Sequence, residues 1–254
     1  MIPRIKVAGI PIDLFTVNSL HETVRNTILQ GDKRIFLHAN ARLIELANSS
    51  EPWLKDFFDK AENYVMCDGA GIQLAARLTG QTVPKKIPYN IWLWDFFRFI
   101  VKNEFSIYFI GAGEPTIKMA VQIAKKFEPT LNIKGFSHGY FSKTINSPEN
   151  VDIIARINAS RPDILLVGFG MPIQERWIQE NIDGINAKAV FSCGGAFEFI
   201  SGMKPVAPLF FRKLYLEWLF RFFLEPVRLF ERATISNIRF IGILLKNRTK
   251  KIYK

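Results

Sequence analysis

The sequence predicts an α/β fold built on a mainly parallel, doubly wound sheet, followed by a C-terminal helical appendage. Up to about residue 200, short apolar runs alternate with segments of helical periodicity, as in strands joined by crossover helices. Glycine and polar residues repeatedly follow the apolar runs. Beyond that point strand and turn signals stop, and charges recur among aromatic and leucine residues. We therefore expect an α/β domain over 1–200 and a helical appendage over 201–254.

Seven apolar runs have the length and composition of buried strands. The expected strands are 6–12, 34–39, 63–67, 105–111, 131–136, 163–169 and 189–193. Segments with helical spacing lie between most of them, at 19–30, 41–48, 71–80, 115–127, 151–160 and 172–181. Pro172 suits the first turn of the last helix, because its missing N–H is not needed there.

Composition limits the class of protein. With 254 residues, 48% hydrophobic and 22% charged, the chain can build a sizeable core and is not disordered. Two cysteines, Cys67 and Cys193, are too few for a disulfide framework and suit a reducing compartment. The N-terminus lacks the order of a signal peptide, and no run of about 18 uncharged apolar residues occurs. We expect a cytoplasmic protein without a spanning helix.

Positive charge is concentrated in the appendage. Residues 201–254 hold twelve Lys/Arg and three Glu, which is +9 of the total charge of +11. Such a segment implies an anionic partner, and its aromatic content favours an anionic membrane surface over a solvated amphipathic helix. No nucleic-acid motif is present, so we expect no nucleic-acid partner. The residues that suggest lipid contact and phosphate binding are Phe211, Trp218, Phe222, Phe223, Arg212, Arg221, Arg228, Arg232 and Arg239.

Five predicted strands end in residues suited to a polar ligand. Ligands of open α/β sheets bind beyond the carboxyl ends of the strands, so these residues predict one large cleft. They are His38 and Asn40; Asp68, Gly69 and Gly71; Gly111 and Gly113; Gly168 and Gly170; and Gly194 and Gly195.

The turn IGAGEPTIKMA (110–120) resembles half of a dinucleotide-binding fingerprint. The third glycine is missing, and no acidic residue follows a clear strand at the required distance, which disfavours NAD. A helix that opens on glycine still favours a phosphate. Gly111 and Gly113 therefore either hold a diphosphate or only form a tight turn, and both interpretations stay open.

Asp68 is the carboxylate best placed for chemistry, because it follows an apolar strand and precedes glycines that let a ligand approach. The alternative is a helix N-cap, which this position suits equally well. The histidines show no metal-ligand spacing: His38 can touch a ligand, whereas His21 and His138 suit a helix surface and a loop. No DxD pair occurs, so no metal is expected. The cysteines lack a base partner and are interpreted as small buried residues.

Four segments together resemble one known family. They are HAN (38–40), DGAGIQLAARLTG (68–80), PDILLVGFGMPIQERWIQEN (162–181) and CGGAFEFISGMKPVAPLFFRKLYLEWLFRFFLEPVRL (193–229). In this order, over nearly the whole chain, they resemble the WecG/TagA/CpsF glycosyltransferases, glycosyltransferase family 26. The resemblance implies a Rossmann-like body and an appendage that helps to close the active site and meets the membrane.

The same resemblance implies an inverting, metal-independent and cofactor-free transfer of a sugar from a UDP-sugar to a polyprenyl-diphosphate-linked sugar. The transferred sugar would be N-acetylmannosamine, its uronic acid or a related hexose. The reaction would serve cell-surface polysaccharide biosynthesis at the inner face of the cell membrane, with the protein bound peripherally. Self-association stays open.

Site residues follow from the matched motifs. Asp68 takes the place of the family's catalytic base, while Asn40 and Gln174 take the places of polar substrate-site residues. Arg221 and Arg228 match arginines near the donor diphosphate. Arg77, inside a matched segment, is a further expected substrate-binding residue.

The chain departs from the family pattern at two places that bear on which sugar is accepted. His38 stands where threonine is common, and VPKKIPYNIW (83–92) brings Lys85 and Lys86 where a Glu-Arg pair followed by glycine is common. In the segment 167–181 we expect Gln174 to aim at the cleft and Trp177 to pack against the body, whereas Glu175 and Arg176 receive no role. A nucleotide-binding oxidoreductase and a non-catalytic membrane-surface protein stay open as alternatives.

Overall fold

A computed structural model describes residues 2–78, 80–83, 86–213, 217–224 and 239–244, with the backbone alone at 212, 213, 217, 218 and 221. Its strands are β1 (Arg4–Val7), β2 (Ile10–Asp13), β3 (Arg34–Ala39), β4 (Asn63–Cys67), β5 (Ser106–Gly111), β6 (Asn132–Ser137), β7 (Ile164–Gly168) and β8 (Ala189–Ser192). Its helices are α1 (Val17–Gln30), α2 (Ala41–Ala47), α3 (Trp53–Phe58), α4 (Ala70–Leu78), α5 (Tyr89–Lys102), α6 (Glu114–Phe127), α7 (Pro148–Ser160), α8 (Ile173–Asn181), α9 (Ala196–Ile200), α10 (Leu209–Lys213) and α11 (Glu217–Leu224).

Six of the strands form one parallel sheet in the order β4-β3-β8-β7-β5-β6. The predicted strands from 34–39 onward are confirmed within two residues at each end, and the predicted helices within three. Because all six strands run the same way, their carboxyl ends meet at one edge of the sheet. The register places Ala39 beside Cys67 and Gly111 beside Gly168 at that edge.

Helices cover both faces of the sheet. α2, α3, α4, α7 and α8 bury their apolar residues in one core cluster, and α1, α5, α6 and α9 bury theirs in the other. Successive side chains of a strand alternate between the faces, so Leu165 and Val167 of β7 enter the first cluster while Ile164 and Leu166 enter the second. Strands buried on both faces read as continuous apolar runs. The predicted doubly wound, Rossmann-like α/β fold is confirmed.

The prediction of a single strand over 6–12 was wrong. The segment is a β-hairpin in which β1 and β2 pair antiparallel, with Val7 opposite Ile10. Its two turn residues, Ala8 and Gly9, have φ angles of 50° and 84°. Positive φ at both central positions matches the twist of the flanking strands. Alanine seldom adopts this conformation, so its presence in an apolar run does not predict a turn.

Three helices before residue 201 were missing from the prediction, α3, α5 and α9. The longest, α5, runs through the apolar stretch IWLWDFFRFIV and buries residues three and four apart. Its buried residues are Tyr89, Trp92, Leu93, Phe96, Phe97 and Ile100. Asp95 and Arg98 lie on the opposite face, where both are exposed. The charges that interrupt this run are therefore the solvent side of an amphipathic helix.

Beyond α9 the described residues are mostly helical, in α10, α11 and the stretch 239–244. Phe240 and Leu244 of that stretch are each 4% exposed and belong to the first core cluster, so it packs on the body. Within the described ranges, no helix combines the length and apolar character needed to cross a membrane.

Candidate functional site

The ends of β3 and β4 bring two predicted site segments together. The register aligns Ala39 with Cys67, and the Asp68 N–H donates to the Ala39 carbonyl at 3.0 Å. Gly69 lies against Asn40, because a Cβ at Gly69 would stand 3.4 Å from the Asn40 Cβ. The residues that follow these neighbouring strands therefore form one continuous surface, as predicted from the sheet edge.

Asp68 is half-buried on this surface, beside the start of α5. The backbone N–H of Tyr89 donates to Asp68 Oδ1 at 3.4 Å. Ile87 holds the approach to α5 at the sheet edge, because its N–H donates to the Cys67 carbonyl at 2.8 Å. Burial raises the pKa of the Tyr89 hydroxyl, and the nearby Cys193 and Asp68 raise it further. Sequence analysis missed Tyr89, although Pro88 before a helical apolar repeat signals a helix start.

His38 and Asn40 make internal contacts. His38 is 5% exposed, its Nδ1 lies 2.9 Å from the Ser192 carbonyl oxygen, and its ring packs edge-on against Tyr89. Asn40 is the N-cap of α2, where its Oδ1 accepts from the Leu43 N–H at 3.1 Å. The structure thus gives both residues a structural role at the sheet edge. Their contact with a ligand stays a prediction.

The turn after β5 carries two glycines in different environments. Gly111 has φ 150°, and a Cβ there would stand 2.3 Å from the Gly168 carbonyl oxygen. Gly113 has φ −82° and is the N-cap of α6. A Cβ at Gly113 would meet only ordinary contacts, the nearest being the Tyr140 ring at 3.6 Å. Gly111 therefore forms a tight turn against β7, whereas the start of α6 has no such close contact. Diphosphate binding by either glycine stays a prediction.

A cavity of about 320 Å³ adjoins this turn, beyond the end of β6. It is lined by Glu114 of α6, Ser137 and Tyr140 after β6, and Glu149 and Arg156 of α7, among others. The Glu114 carboxylate pairs with the Lys118 ammonium at 2.8 Å, and this hydrogen bond lowers the pKa of Glu114. Its size lies within the range of small-molecule sites.

Gln174 joins the turns after β7 and β8. Its Oε1 accepts from the Gly194 N–H at 2.9 Å and from the Gly170 N–H at 3.3 Å. Gly168 packs just as closely, because a Cβ there would stand 2.8 Å from the Gly194 carbonyl oxygen and from the Phe197 ring. Gln174 is 0% exposed, so it lies beneath the glycine turns and not on the open surface of the cleft. Its contact with substrate stays a prediction.

The remainder of the 167–181 segment anchors α8. Trp177 is 1% exposed and donates its indole N–H to Asn150 Oδ1 at 2.7 Å, which confirms that it packs on the body. Pro172 precedes the first helical residue and occupies the N-cap position, one place before the first turn where it was expected. Arg176 is exposed and pairs with Glu51 at 3.1 Å.

The structure also gives the positions of the two cysteines and of the other two histidines. Burial raises the pKa of Cys67 to about 12 and that of Cys193 well above its usual value, so both thiols stay protonated and structural, as predicted. His138 lies in the loop after β6, also as predicted. His21 lies on helix α1, as expected, and is half-buried against α5: Trp92 donates to its Nε2 at 3.0 Å, and burial lowers its pKa to about 4.

The remaining glycines lie at helix starts. Gly195 is the N-cap of α9. At Gly71, in the first turn of α4, a Cβ would stand 3.0 Å from the Ala41 Cβ and 3.5 Å from the Phe240 ring. Arg239, beside Phe240, points its Nη1 to Glu45 Oε1 at 3.5 Å. Part of the predicted appendage therefore touches the helix that begins beside Asp68.

The predicted arginines are only partly described. The Arg221 backbone lies in α11, and nothing is described of its side chain, while Arg228, Arg232 and Lys85 fall outside the described residues. Arg77 is exposed in the last turn of α4, roughly 10 Å along the axis from the start of that helix. The structure does not bring it to the strand ends. In the described part of the chain, no three His, Cys, Asp or Glu side chains are grouped to hold a metal ion.

Comparison with known proteins shows the family of the chain. Residues 5–253 match the profile of the glycosyl transferase WecG/TagA/CpsF family. Similar proteins from Staphylococcus aureus strains NCTC 8325 / PS 47, COL and MRSA252 are each 24% identical over 250 residues, covering 98% of this chain and 95% of the relative. Each is named N-acetylglucosaminyldiphosphoundecaprenol N-acetyl-beta-D-mannosaminyltransferase. Because the match spans nearly the whole chain and every strand of the parallel sheet, the chain belongs to the WecG/TagA/CpsF family of glycosyltransferases.

Proposed function

We propose that the protein transfers an N-acetylmannosamine-type sugar from a UDP-sugar to N-acetylglucosamine carried on a polyprenyl diphosphate. The observation that carries this proposal is the half-buried Asp68 carboxylate on the strand-end surface. It follows β4 at the same sheet edge as the turn before α6. The names of the similar S. aureus proteins support the choice of both sugars. Family membership disfavours the oxidoreductase and the non-catalytic alternatives.

Asp68 is the general base in this proposal. The acceptor hydroxyl attacks the anomeric carbon of the donor sugar, and its proton passes to the Asp68 carboxylate. The bond between the anomeric carbon and the diphosphate oxygen breaks, and its electron pair leaves with UDP. The configuration inverts because the hydroxyl attacks from the face opposite the departing diphosphate. The Tyr89 N–H at 3.4 Å from Oδ1 helps to orient the carboxylate for this step.

The departing diphosphate needs positive charge or aligned N–H donors. The first turn of α6, which begins after Gly113 and is open there, supplies backbone N–H groups and the positive end of a helix dipole. The arginines of the appendage, Arg221 and Arg228, add charge in the proposal, which therefore uses no metal ion. The cavity beside Tyr140 offers room for the nucleoside end of the donor.

Replacing Asp68 by Asn tests the base. The asparagine amide keeps the size of the side chain and cannot take the proton, so turnover should fall by about 10²- to 10⁴-fold while UDP binding stays nearly unchanged. The assay measures UDP release and labelled product with a lipid-diphosphate N-acetylglucosamine acceptor, with and without chelator. Asp95→Asn on the solvent face of α5, where the side chain is 60% exposed, is the matched control. Near-normal turnover of Asp68→Asn would refute the assignment.

The membrane contact belongs to the same proposal. Phe210 of α10 and Phe223 of α11 are 66% and 68% exposed, and Leu209 and Leu224 add to this apolar surface. Basic residues accompany them along 201–254. An apolar, basic helical surface binds anionic lipid by burying its apolar side chains at the headgroup level. We place the protein at the cytoplasmic face of the membrane, where its lipid-linked acceptor lies.

Vesicle binding tests the membrane contact. Phe210→Ser with Phe223→Ser should weaken binding to phosphatidylglycerol-containing vesicles by at least about tenfold, because two large apolar side chains no longer enter the interface. Ile145→Ser, which removes another apolar side chain that is 54% exposed, should leave binding unchanged. Equal binding by the double variant and the wild type would contradict the contact.

A further inference from the structure

Glu175, which received no role in the sequence analysis, makes an unusual contact in α8. It and its neighbour Gln174 are both 0% exposed. Adjacent residues of a helix do not normally face each other. Here, however, Gln174 Nε2 donates to Glu175 Oε1 at 2.8 Å. The start of α8 lies below the glycine turns of β7 and β8, so both side chains are enclosed.

The contact determines how the Gln174 amide is oriented. Its Oε1 accepts from the N–H groups of Gly194 and Gly170, and this requires the carbonyl end of the amide to face the turns. A rotated amide would turn its NH₂ group toward those N–H groups and lose both hydrogen bonds. The NH₂ end then needs a buried acceptor, because an unpaired buried donor costs free energy. Glu175 supplies that acceptor.

We propose that Glu175 is a positioning residue: by accepting the Gln174 side-chain N–H, it keeps Gln174 in the orientation that ties the β7–α8 turn to the β8–α9 turn. Gly170 and Gly194 have φ angles of 83° and 55°, which glycine adopts readily, so the hydrogen bonds of Gln174 act on the spacing of the two turns and not on backbone strain. The spacing of the two turns sets one wall of the cleft. We call the hydrogen bonds from Glu175 through Gln174 to Gly170 and Gly194 the brace. The effect of the brace on sugar transfer rests on the proposed function, whereas the brace itself does not.

The surroundings of Glu175 indicate that an acceptor, and not a charge, is required at this position. Burial raises the pKa of its carboxyl, against a smaller opposite effect of His38. Its second oxygen, Oε2, is buried and has no hydrogen-bond partner among the described residues, and the same holds for the Tyr89 hydroxyl. A buried carboxylate without a cation partner is costly, so a neutral amide of the same shape should replace it.

Amide hydrogen exchange tests the brace without reference to catalysis. Glu175→Leu should raise exchange at the Gly170 and Gly194 N–H groups by about fivefold to tenfold, because Gln174 no longer holds them. Glu175→Gln, which keeps an acceptor, should restore exchange to the wild-type rate. Glu180→Leu on the exposed face of α8 is the control. Unchanged exchange in Glu175→Leu, or equal loss in Glu175→Gln, would overturn the proposal.

Turnover measured on the same variants shows whether the brace serves the reaction. Glu175→Leu should lower kcat by at least about tenfold, because a displaced wall misaligns the reactants. Glu175→Gln should stay close to wild type. If the wild type transfers no sugar to the lipid acceptor, the proposed function fails and the exchange results still decide the brace. If Glu175→Leu raises amide exchange at Gly170 and Gly194 but leaves kcat unchanged, Glu175 has no positioning role in the reaction.

Gln174→Glu provides a second test if Glu175→Leu does not fold. A carboxyl at 174 still accepts from both glycine N–H groups, but it then faces Glu175 Oε1, so a proton must lie between the two acids. His38 of β3 and Tyr89 of α5 face this pair in both proteins and do not change. A shared proton means a raised pKa in the folded state, so its stabilisation is present at pH 5 and lost toward pH 8. The variant should lose at least about 3 °C in Tm over this range relative to wild type. A wild-type pH profile would show that residues 174 and 175 are not in contact and would overturn the proposal.

Discussion

Gly111→Ala should destabilise the protein more than the addition of a methyl group at any other position of the β5–α6 turn. The added Cβ would stand 2.3 Å from the Gly168 carbonyl oxygen, 2.7 Å from its carbon and 2.8 Å from its Cα. These are all backbone atoms of the paired strand β7. Ordinary contact requires about 1 Å more, so the carboxyl ends of β5 and β7 must separate by that amount.

The cost has two parts. Overpacking of this kind costs about 1–3 kcal/mol, and alanine at φ 150° adds about 1–3 kcal/mol of backbone strain. Together they lower the free energy of unfolding by about 2–6 kcal/mol. For a chain of this size each kcal/mol lowers Tm by about 2–4 °C, so a loss of roughly 5–20 °C is expected.

Gly113→Ala is the matched control, two residues along the same turn. Its φ of −82° suits alanine, and the nearest atom to the added Cβ would be Tyr140 Cε2 at 3.6 Å. The loss at this N-cap should stay below about 1 kcal/mol. Calorimetry gives Tm for both variants, and titration with UDP gives their affinities. Gly113→Ala should keep its stability and still bind UDP more weakly if the diphosphate approaches the start of α6. A Tm loss in Gly111→Ala no larger than in Gly113→Ala would refute the reasoning.

Two further predictions concern stability alone. The pKa of His21 is about 4 in the folded protein against 6.5 for the free side chain, so its stabilisation is complete above pH 6.5 and is lost as the pH falls toward 4. This shift of the pKa corresponds to about 3.4 kcal/mol of unfolding free energy, which partial exposure of the ring reduces to about 1–2 kcal/mol. His21→Leu should flatten the dependence of Tm on pH over this window. An unchanged slope would contradict the prediction. Asp13→Ala removes the partner of the Arg4 guanidinium, at 2.8 Å and 2.9 Å, and of the Val65 N–H at 2.6 Å, which should cost about 2–4 kcal/mol in urea unfolding. Asp59→Ala breaks the exposed ion pair with Lys6 and should lower the free energy of unfolding by less than about 1 kcal/mol. Equal losses of unfolding free energy in Asp13→Ala and Asp59→Ala would contradict this prediction.

The class of fold could be predicted because strands buried on both faces of a parallel sheet are nearly continuous in apolar residues. The same rule explains the failure at the N-terminus. Residues 6–12 are just as apolar, but their chain reverses at Ala8 and Gly9, a turn whose first residue gives no turn signal. Apolar residues occupy most positions of the α5 segment, so its helical spacing does not stand out in the sequence.

The candidate site was predictable at the strand ends and not beneath them. Asp68, Asn40 and the glycines follow strands, and parallel topology alone brings them to one edge. The contacts of Tyr89 with Asp68 and of Ser192 with His38 join residues far apart in sequence. These contacts depend on which strands are neighbours and on the register in which they pair. Local periodicity in the sequence predicts neither the neighbours nor the register. The same holds for the orientation of Gln174, which pattern reasoning directed at the cleft.

The docking of Phe240 against Gly71 changes how the basic segment should be regarded. One end of the segment 201–238 leaves the body after α9, and the other returns at the helix that starts beside Asp68. A segment attached at both ends loses less entropy than a free tail when it is held at one place. If Arg221 and Arg228 contact the donor diphosphate, as proposed, Phe240→Ala should therefore weaken UDP binding, because one of the two attachments is removed.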